Sequence, residues 1–417
     1  VIDGVSGSDP DAQAALACAY SEEWARVVAS LARRFGDLDV AEDAAAEAFA
    51  IAVERWPADG VPPNPGGWLT TTANHKAVDR IRREQRRADK HREALMLHDD
   101  DPPEPLGAID DDRLRLVFTC CHPALSMEAR VALTLRLVGG LTVAEIARAF
   151  LVQETTMGQR ITRAKGKIAA ARIPYRVPAS ADLPRRVTGV LAVLYLVFNE
   201  GYLATSADTD PLRADLTAEA IRLTRLVREL LPDDGEVAGL LALMLLTEAR
   251  RPARIAADGS LAPLAEQDRT VWVASLITEG HRLVRERLDA AAAPGRYQLL
   301  AAINAVHTDA PTADDTDWSQ VLALYDQLVR LDPSPIVALN RAVAVAEVEG
   351  ADAALEIIEP LGSALDAYHA FHATRAELLR RVGRRADARQ AFDRAIALAG
   401  NTAEAATLSR RRDQLEA

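Results

Sequence analysis

Two stretches of the chain concentrate side chains able to recognise an anionic, hydrogen-bonding partner. Residues 74–92 hold eight bases (Lys76, Arg80, Arg82, Arg83, Arg86, Arg87, Lys90, Arg92) against three acids. Residues 154–172 hold five bases (Arg160, Arg163, Lys165, Lys167, Arg172) against Glu154 alone. Such groups neutralise phosphates, and Arg, Asn and Gln also bond base edges. A solvated helix face is the other reading of each stretch. Residues 39–49 set Glu42, Asp43 and Glu47 on an otherwise apolar helix, which suits a basic partner or plain solvent. Covalent chemistry has no visible motif: there is no Gly-x4-Gly-Lys phosphate loop, no His-Glu-x-x-His and no Gly-x-Ser-x-Gly. Cys120, Cys121 and His122 are adjacent and cannot converge on one ion as spaced ligands do, so a packed helix is expected there. The expectation is a protein that is not an enzyme, with no metal and no cofactor.

The elements that must position these groups are helical. In Leu141-Thr-Val-Ala-Glu-Ile-Ala-Arg-Ala-Phe150, Thr142 can cap a helix and Glu145, three residues on, completes a capping box. Ala144, Ile146, Ala147 and Phe150 suit its buried side. A second helix, residues 154–168, buries Met157, Ile161 and Ala164 and leaves Thr155, Thr156, Gln159, Arg160 and Arg163 outward. That is a helix able to enter a major groove, or an ordinary helical hairpin. Leu151 stands where such turns often carry Gly. Residues 56–67, with four prolines and three glycines, are expected to form a loop. After it, Trp68 either stacks on unstacked bases or fills a core.

Ala, Leu, Arg and Glu at helical spacing dominate throughout, so the fold class is all-α. The chain has 417 residues and a net charge of −12, which on average argues against a nucleic-acid protein. The average hides an acidic linker with seven acids, three prolines and no base in residues 99–112, set between the two basic helices. Three cysteines, two of them adjacent, do not make a disulfide framework, and the apolar runs fall short of a membrane span. A cytoplasmic protein with no membrane partner is expected.

An acidic helix, a Pro/Gly loop, W-L-T-T-T-A-N-H-K-A-V-D-R-I-R-R from Trp68, an acidic linker and an L-T-V-A-E-I-A helix-turn-helix follow one another in that order. This order resembles the extracytoplasmic-function sigma factors of RNA polymerase. The resemblance implies a region 2 domain (residues 10–95), a linker (96–112) and a region 4 domain (113–172). It implies core RNA polymerase as partner, its β′ clamp helices bound through the helix carrying Glu42, Asp43 and Glu47, and its β flap touched by region 4. Promoter DNA is the other implied partner. Asn74, Lys76, Arg80 and Arg83, with Trp68, would serve the −10 element. Arg160 and Arg163, with Thr155, Thr156 and Gln159, would serve the −35 element.

Residues 183–417 exceed what a minimal member of that family needs. A shift of 34 residues aligns Arg341-Ala342 with Arg375-Ala376, Ala354 with Ala388 and Ile358 with Phe392, which is tetratricopeptide-like spacing. Such an array would hold a protein or peptide ligand. Phe198-Asn-Glu-Gly-Tyr202 and Gln267-Asp-Arg-Thr-Val-Trp272 resemble segments of the sigma-factor subgroup with such an extension. Asn-x-Gly in the first is also a helix stop. A one-component helix-turn-helix regulator with a sensing repeat domain is the competing reading, and a scaffold is a third.

Overall fold

The structure, a computed structural model, describes residues 10–89, 112–150, 152–179, 181–202, 214–256, 260–288, 293–400 and 402–415. The acidic linker, save Asp112, lies outside these residues, as do Lys90, Arg92 and Leu151. Among the described residues all regular structure is helical, apart from one isolated bridge between Ile255 and Leu261. No described helix is long and apolar enough to cross a membrane. The chain divides into two compact units between Leu196 and Val197.

The first unit begins with three packed helices, α1 (Pro10–Phe35), α2 (Leu38–Asp59) and α3 (Pro65–Asp89). Trp24, Leu31, Phe49, Trp56 and Leu69 fill their core. The Asp37 carboxylate starts α2 by accepting from the N–H groups of Asp39 and Val40 at 2.8 and 3.1 Å. The expected Pro/Gly loop is narrower than its composition implies. Pro57 lies inside the last turn of α2, and Pro65 opens α3, where its missing N–H costs nothing. Pro57 deprives only the carbonyl of Val53, an exposed residue whose oxygen can turn to water.

Four helices follow: α4 (Asp112–Cys120), α5 (Met127–Leu133), α6 (Val143–Ala149) and α7 (Glu154–Ala170), with a π-helical turn at Thr134–Val138. The capping box is present: Glu145 accepts from the Thr142 N–H at 2.7 Å, and Thr142 Oγ1 accepts from the Glu145 N–H at 3.2 Å. Cys120 and Cys121 are buried, unbridged thiols at the end of α4. The next helix, α8 (Leu183–Tyr202), is tied to α4 at its start, where Arg186 donates to the Phe118 carbonyl at 2.6 Å. It includes Asn199-Glu-Gly201 and ends at Tyr202. Phe198 stacks on Tyr202 one turn later, with ring centroids 5.9 Å apart.

The second unit continues with α9 (Ala214–Leu230), α10 (Gly235–Glu248), α11 (Ala274–Leu288), α12 (Arg296–Asp309) and α13 (Trp318–Leu331). Then come α14 (Pro335–Val348), α15 (Ala351–Ile358), α16 (Gly362–Leu365), α17 (His369–Arg381), α18 (Arg385–Leu398) and α19 (Thr402–Asp413). The pairs α14/α15 and α17/α18 are helical hairpins, and Ala342, Ala376, Ala354, Ala388, Ile358 and Phe392 share one core. Gly383 makes the second turn at φ +78°, where an L side chain is strained.

An ion pair ties α17 to α19: His369 Nε2 lies 3.2 Å from Glu404. The bond from Glu404 raises the His369 pKa above its ordinary value of 6.5, against a smaller opposing effect of burial. Burial would raise Glu404, but the His369 bond takes it below its ordinary 4.5. The imidazolium therefore contributes fully below pH 6.5 and less as pH rises through its folded value, while the carboxylate contributes above 4.5. The gap in melting temperature between the parent and His369→Gln is expected to be widest near pH ~5.5 and to shrink by pH ~8. Melting curves at several pH values check this.

Candidate nucleic-acid interface

In the first turn of α3, Trp68 is half-buried and edge-on to Trp56 with centroids 5.6 Å apart. Nearly two turns on, Asn74 donates to the Thr70 carbonyl at 3.0 Å and accepts from Arg34 at 3.3 Å. Lys76 lies 3.5 Å from Glu47, and Arg80 pairs with Asp43. Arg83 is exposed and donates to the Asp79 carbonyl at 3.3 Å. Two candidate DNA-binding bases are thus paired with two candidate polymerase-binding acids across α2 and α3. Both pairs are partly exposed, each worth ~0–1 kcal/mol, so a stronger partner displaces them readily.

α7 has one buried and one exposed face. Thr155, Thr156, Gln159 and Arg163 are exposed and Arg160 is half-buried. Met157, Ile161, Ala164 and Ile168 are buried on the other side. The outward groups are hydroxyls, an amide and guanidinium groups, which can bond base edges and phosphates.

Glu42 differs from its two acidic neighbours, because it is buried. The Arg136 guanidinium donates to it at 2.5 Å, and the Lys165 ammonium pairs with both Glu42 and Asp39, the latter at 2.7 Å. Arg136 also donates to the Leu141 carbonyl at 2.9 Å and sits 5.7 Å from the centroid of Trp24. Beside this latch, Tyr20 donates to the Gly140 carbonyl at 2.6 Å. Gly140 has φ +78°, and a Cβ there would lie 3.0 Å from Tyr20 and 3.1 Å from Trp24. The Tyr175 hydroxyl sits between the carbonyls of Ala29 and Asp112, 3.0 Å from each, and Arg33 pairs with Asp112 at 3.0 Å. The helix-turn-helix half is therefore docked on the three-helix half through the buried Glu42 and Lys165 and the partly buried Arg136.

Burial opposes the charge on Lys165, yet Glu42 and Asp39 hold its pKa above the ordinary 10.5. A raised value means full contribution below 10.5 and loss only as pH rises beyond it, so Lys165 is charged across the neutral range. Lys165 reads from composition as one more phosphate-facing base. Its spacing said otherwise: 161, 164, 165 and 168 form one i, i+3, i+4, i+7 stripe, and all four are buried.

A model of sigma-70 region 2 matches residues 21–87, and a model of sigma-70 region 4 matches residues 115–168. A third, of a family of unknown function (DUF6596), matches residues 186–288. The uncharacterized protein R00370 of Rhizobium meliloti is 44% identical over 398 residues, covering 94% of each chain. The chain belongs to that protein's family. Its first unit carries sigma-70 regions 2 and 4, and its relatives include extracytoplasmic-function sigma factors at greater distance. The probable ECF RNA polymerase sigma factor SigI of Mycobacterium tuberculosis is 28% identical over 181 residues, 40% of this chain and 62% of its own length. The ECF RNA polymerase sigma factor SigK of Mycobacterium ulcerans is 29% identical over 154 residues, 35% of this chain and 80% of its own. No solved structure matches the chain. Region 2 thus comprises most of α1–α3, region 4 comprises α4–α7, and the latch joins one to the other.

Proposed function

We propose that this protein is an alternative sigma factor of the extracytoplasmic-function type, cytoplasmic and not itself an enzyme, with a fused regulatory domain. The observation that carries the reading is the joint presence of regions 2 and 4, with the hydroxyl, amide and guanidinium face of α7 turned outward. In this reading Glu42, Asp43 and Glu47 meet the β′ clamp helices of core RNA polymerase, and region 4 touches the β flap. Trp68, Asn74, Lys76, Arg80 and Arg83 engage the −10 element. Thr155, Thr156, Gln159, Arg160 and Arg163 engage the −35 element. The domains are region 2 at 10–95, a linker at 96–112, region 4 at 113–172 and a tetratricopeptide-like extension at 183–417.

The extension is the regulatory part. A groove of about 440 Å³ between α14, α17 and α19, lined by Val343, Ala346, Glu347, Glu377, Arg381 and Arg411, is where a peptide partner would lie. Run-off transcription tests the reading. Core polymerase with this protein is expected to initiate from promoters that core polymerase alone ignores; duplex binding by the protein alone, without core-dependent initiation, favours a one-component regulator. Arg160→Ala is expected to weaken discrimination at one −35 base by about 1–3 kcal/mol if it reads that base. Run-off from a panel of −35 variants measures it, and an unchanged preference removes Arg160 from the reading face.

A further inference from the structure

The fold brings the segment Gln267-Asp-Arg-Thr-Val-Trp272 to the end of α10. A 3-10 turn at Arg251–Ala253 follows α10, and a second at Arg269–Val271 packs against it. The Val273 N–H donates to the Ala249 carbonyl at 2.9 Å and closes the arrangement. α12 adds Asn304 and His307.

Three guanidinium groups gather here. Arg250 donates to Asn304 at 3.1 Å, and Arg269 donates to the carbonyls of His307 and Ala310 at 2.6 and 2.5 Å. Arg254 lies 3.6 Å from the centroid of Tyr202. Among the described residues none of the three has a carboxylate within 4.0 Å. Nearby acids are committed elsewhere: Glu248 to Arg251 at 2.5 Å and Glu404 to His369 at 3.2 Å.

Donors exceed acceptors. Arg250 Nε, Arg254 Nε, Arg269 Nη2 and Trp272 Nε1 are all buried without a hydrogen-bond partner among the described residues. Buried polar groups are normally paired, and an unpaired one costs free energy. The cations also act on one another. Burial first, then the charge of Arg250, lowers the pKa of Arg269 and contributes to the lowering of Arg254. Burial, with Arg250 and Arg269, holds His307 down to about 4, so it adds no charge at neutral pH.

We propose that Arg250, Arg254 and Arg269 form a binding site for a phosphate group, carried by inorganic phosphate or by a small phosphate ester. Phosphate is acceptor-rich, carries more than one negative charge, and fits guanidinium forks. The site lies within the second unit and stands independently of the sigma reading.

Titration calorimetry on the full chain, at constant ionic strength with chloride as the exchanged anion, tests it. Inorganic phosphate is expected to bind saturably, and Arg250→Met and Arg254→Met to weaken it at least tenfold. Glycerol 3-phosphate in place of phosphate distinguishes the two sources by which binds tighter. In chloride alone both variants are expected to melt no lower than the parent, because a like charge has been removed. A purely structural cluster would instead lose stability and show no phosphate heat. Arg254→Lys, which keeps the charge and loses the fork, guards against a misfolded Met variant and is also expected to weaken binding. Heats that chloride reproduces, or phosphate binding unaltered in all three variants, overturn the proposal.

Discussion

Glu42→Ala is expected to destabilise the closed arrangement of regions 2 and 4 by about 3–5 kcal/mol, the cost of leaving buried charge without its partner. Two cations depend on this one carboxylate, and the side chains of Lys165 and Arg136 are only 8% and 15% exposed. Asp39 is 60% exposed and compensates Lys165 only in part. The loss is relieved if region 4 leaves region 2, because both cations then reach water. Denaturant unfolding and small-angle scattering together measure it: a lower midpoint, a larger radius, or both. A change under about 1 kcal/mol with unchanged dimensions would mean the pair contributes no more than a surface ion pair. Asp43→Ala is the control, since its partner Arg80 stays accessible and the effect should be small.

Gly140→Val attacks the same junction from its backbone. The residue sits at φ +78°, where a β-branched side chain costs about 1–3 kcal/mol. Its Cβ also meets Tyr20 and Trp24 at 3.0 and 3.1 Å, and overpacking a tight site adds about 1–3 kcal/mol. Tyr20 and Trp24 belong to an aromatic group with Phe49, with centroids 4.9–5.7 Å apart, so they have little room to yield. The expected result is a lower melting temperature in the full chain. Gly166→Val, at an exposed position with no neighbour within 4 Å, should change stability far less.

The helical class, the capping box at Thr142 and Glu145, and the inward face of α7 at Met157, Ile161 and Ala164 were legible in the sequence. Each depends on local spacing alone. The 34-residue period likewise placed Ala342, Ala354, Ala376 and Ala388 in one core, because a repeat reports its own packing. What stayed hidden depends on residues far apart in the chain. Glu42 reads as an exposed docking acid because nothing near it announces Arg136 or Lys165, 94 and 123 positions away. Pro57 reads as a helix breaker because sequence cannot show that the carbonyl it deprives belongs to an exposed turn. Arg250, Arg254 and Arg269 are unremarkable singly; only the fold shows them sharing a half-buried corner.

In the proposed sigma reading, length decides why the latch would matter for promoter recognition. Elements at −35 and −10 lie ~25 base pairs apart, which is ~85 Å at 3.4 Å per step. With Lys165 of α7 at 2.7 Å from Asp39 of α2, regions 2 and 4 in the proposed sigma reading would lie too close together to reach both elements at once. A chain of 22 residues, the number from 90 to 111, could span at most ~80 Å if fully extended. The net charge of −12 fits the proposed reading, in which the free protein would bind DNA weakly until polymerase separated regions 2 and 4.

A distance between the two regions tests this most directly. Spin labels at Thr71→Cys on α3 and Gly166→Cys on α7, in a Cys18→Ser background with Cys120 and Cys121 buried, report it by pulsed electron resonance. The free protein is expected to give one short distance, and addition of core RNA polymerase is expected to lengthen it by tens of ångströms. A short distance that persists in the polymerase-bound protein would contradict the account.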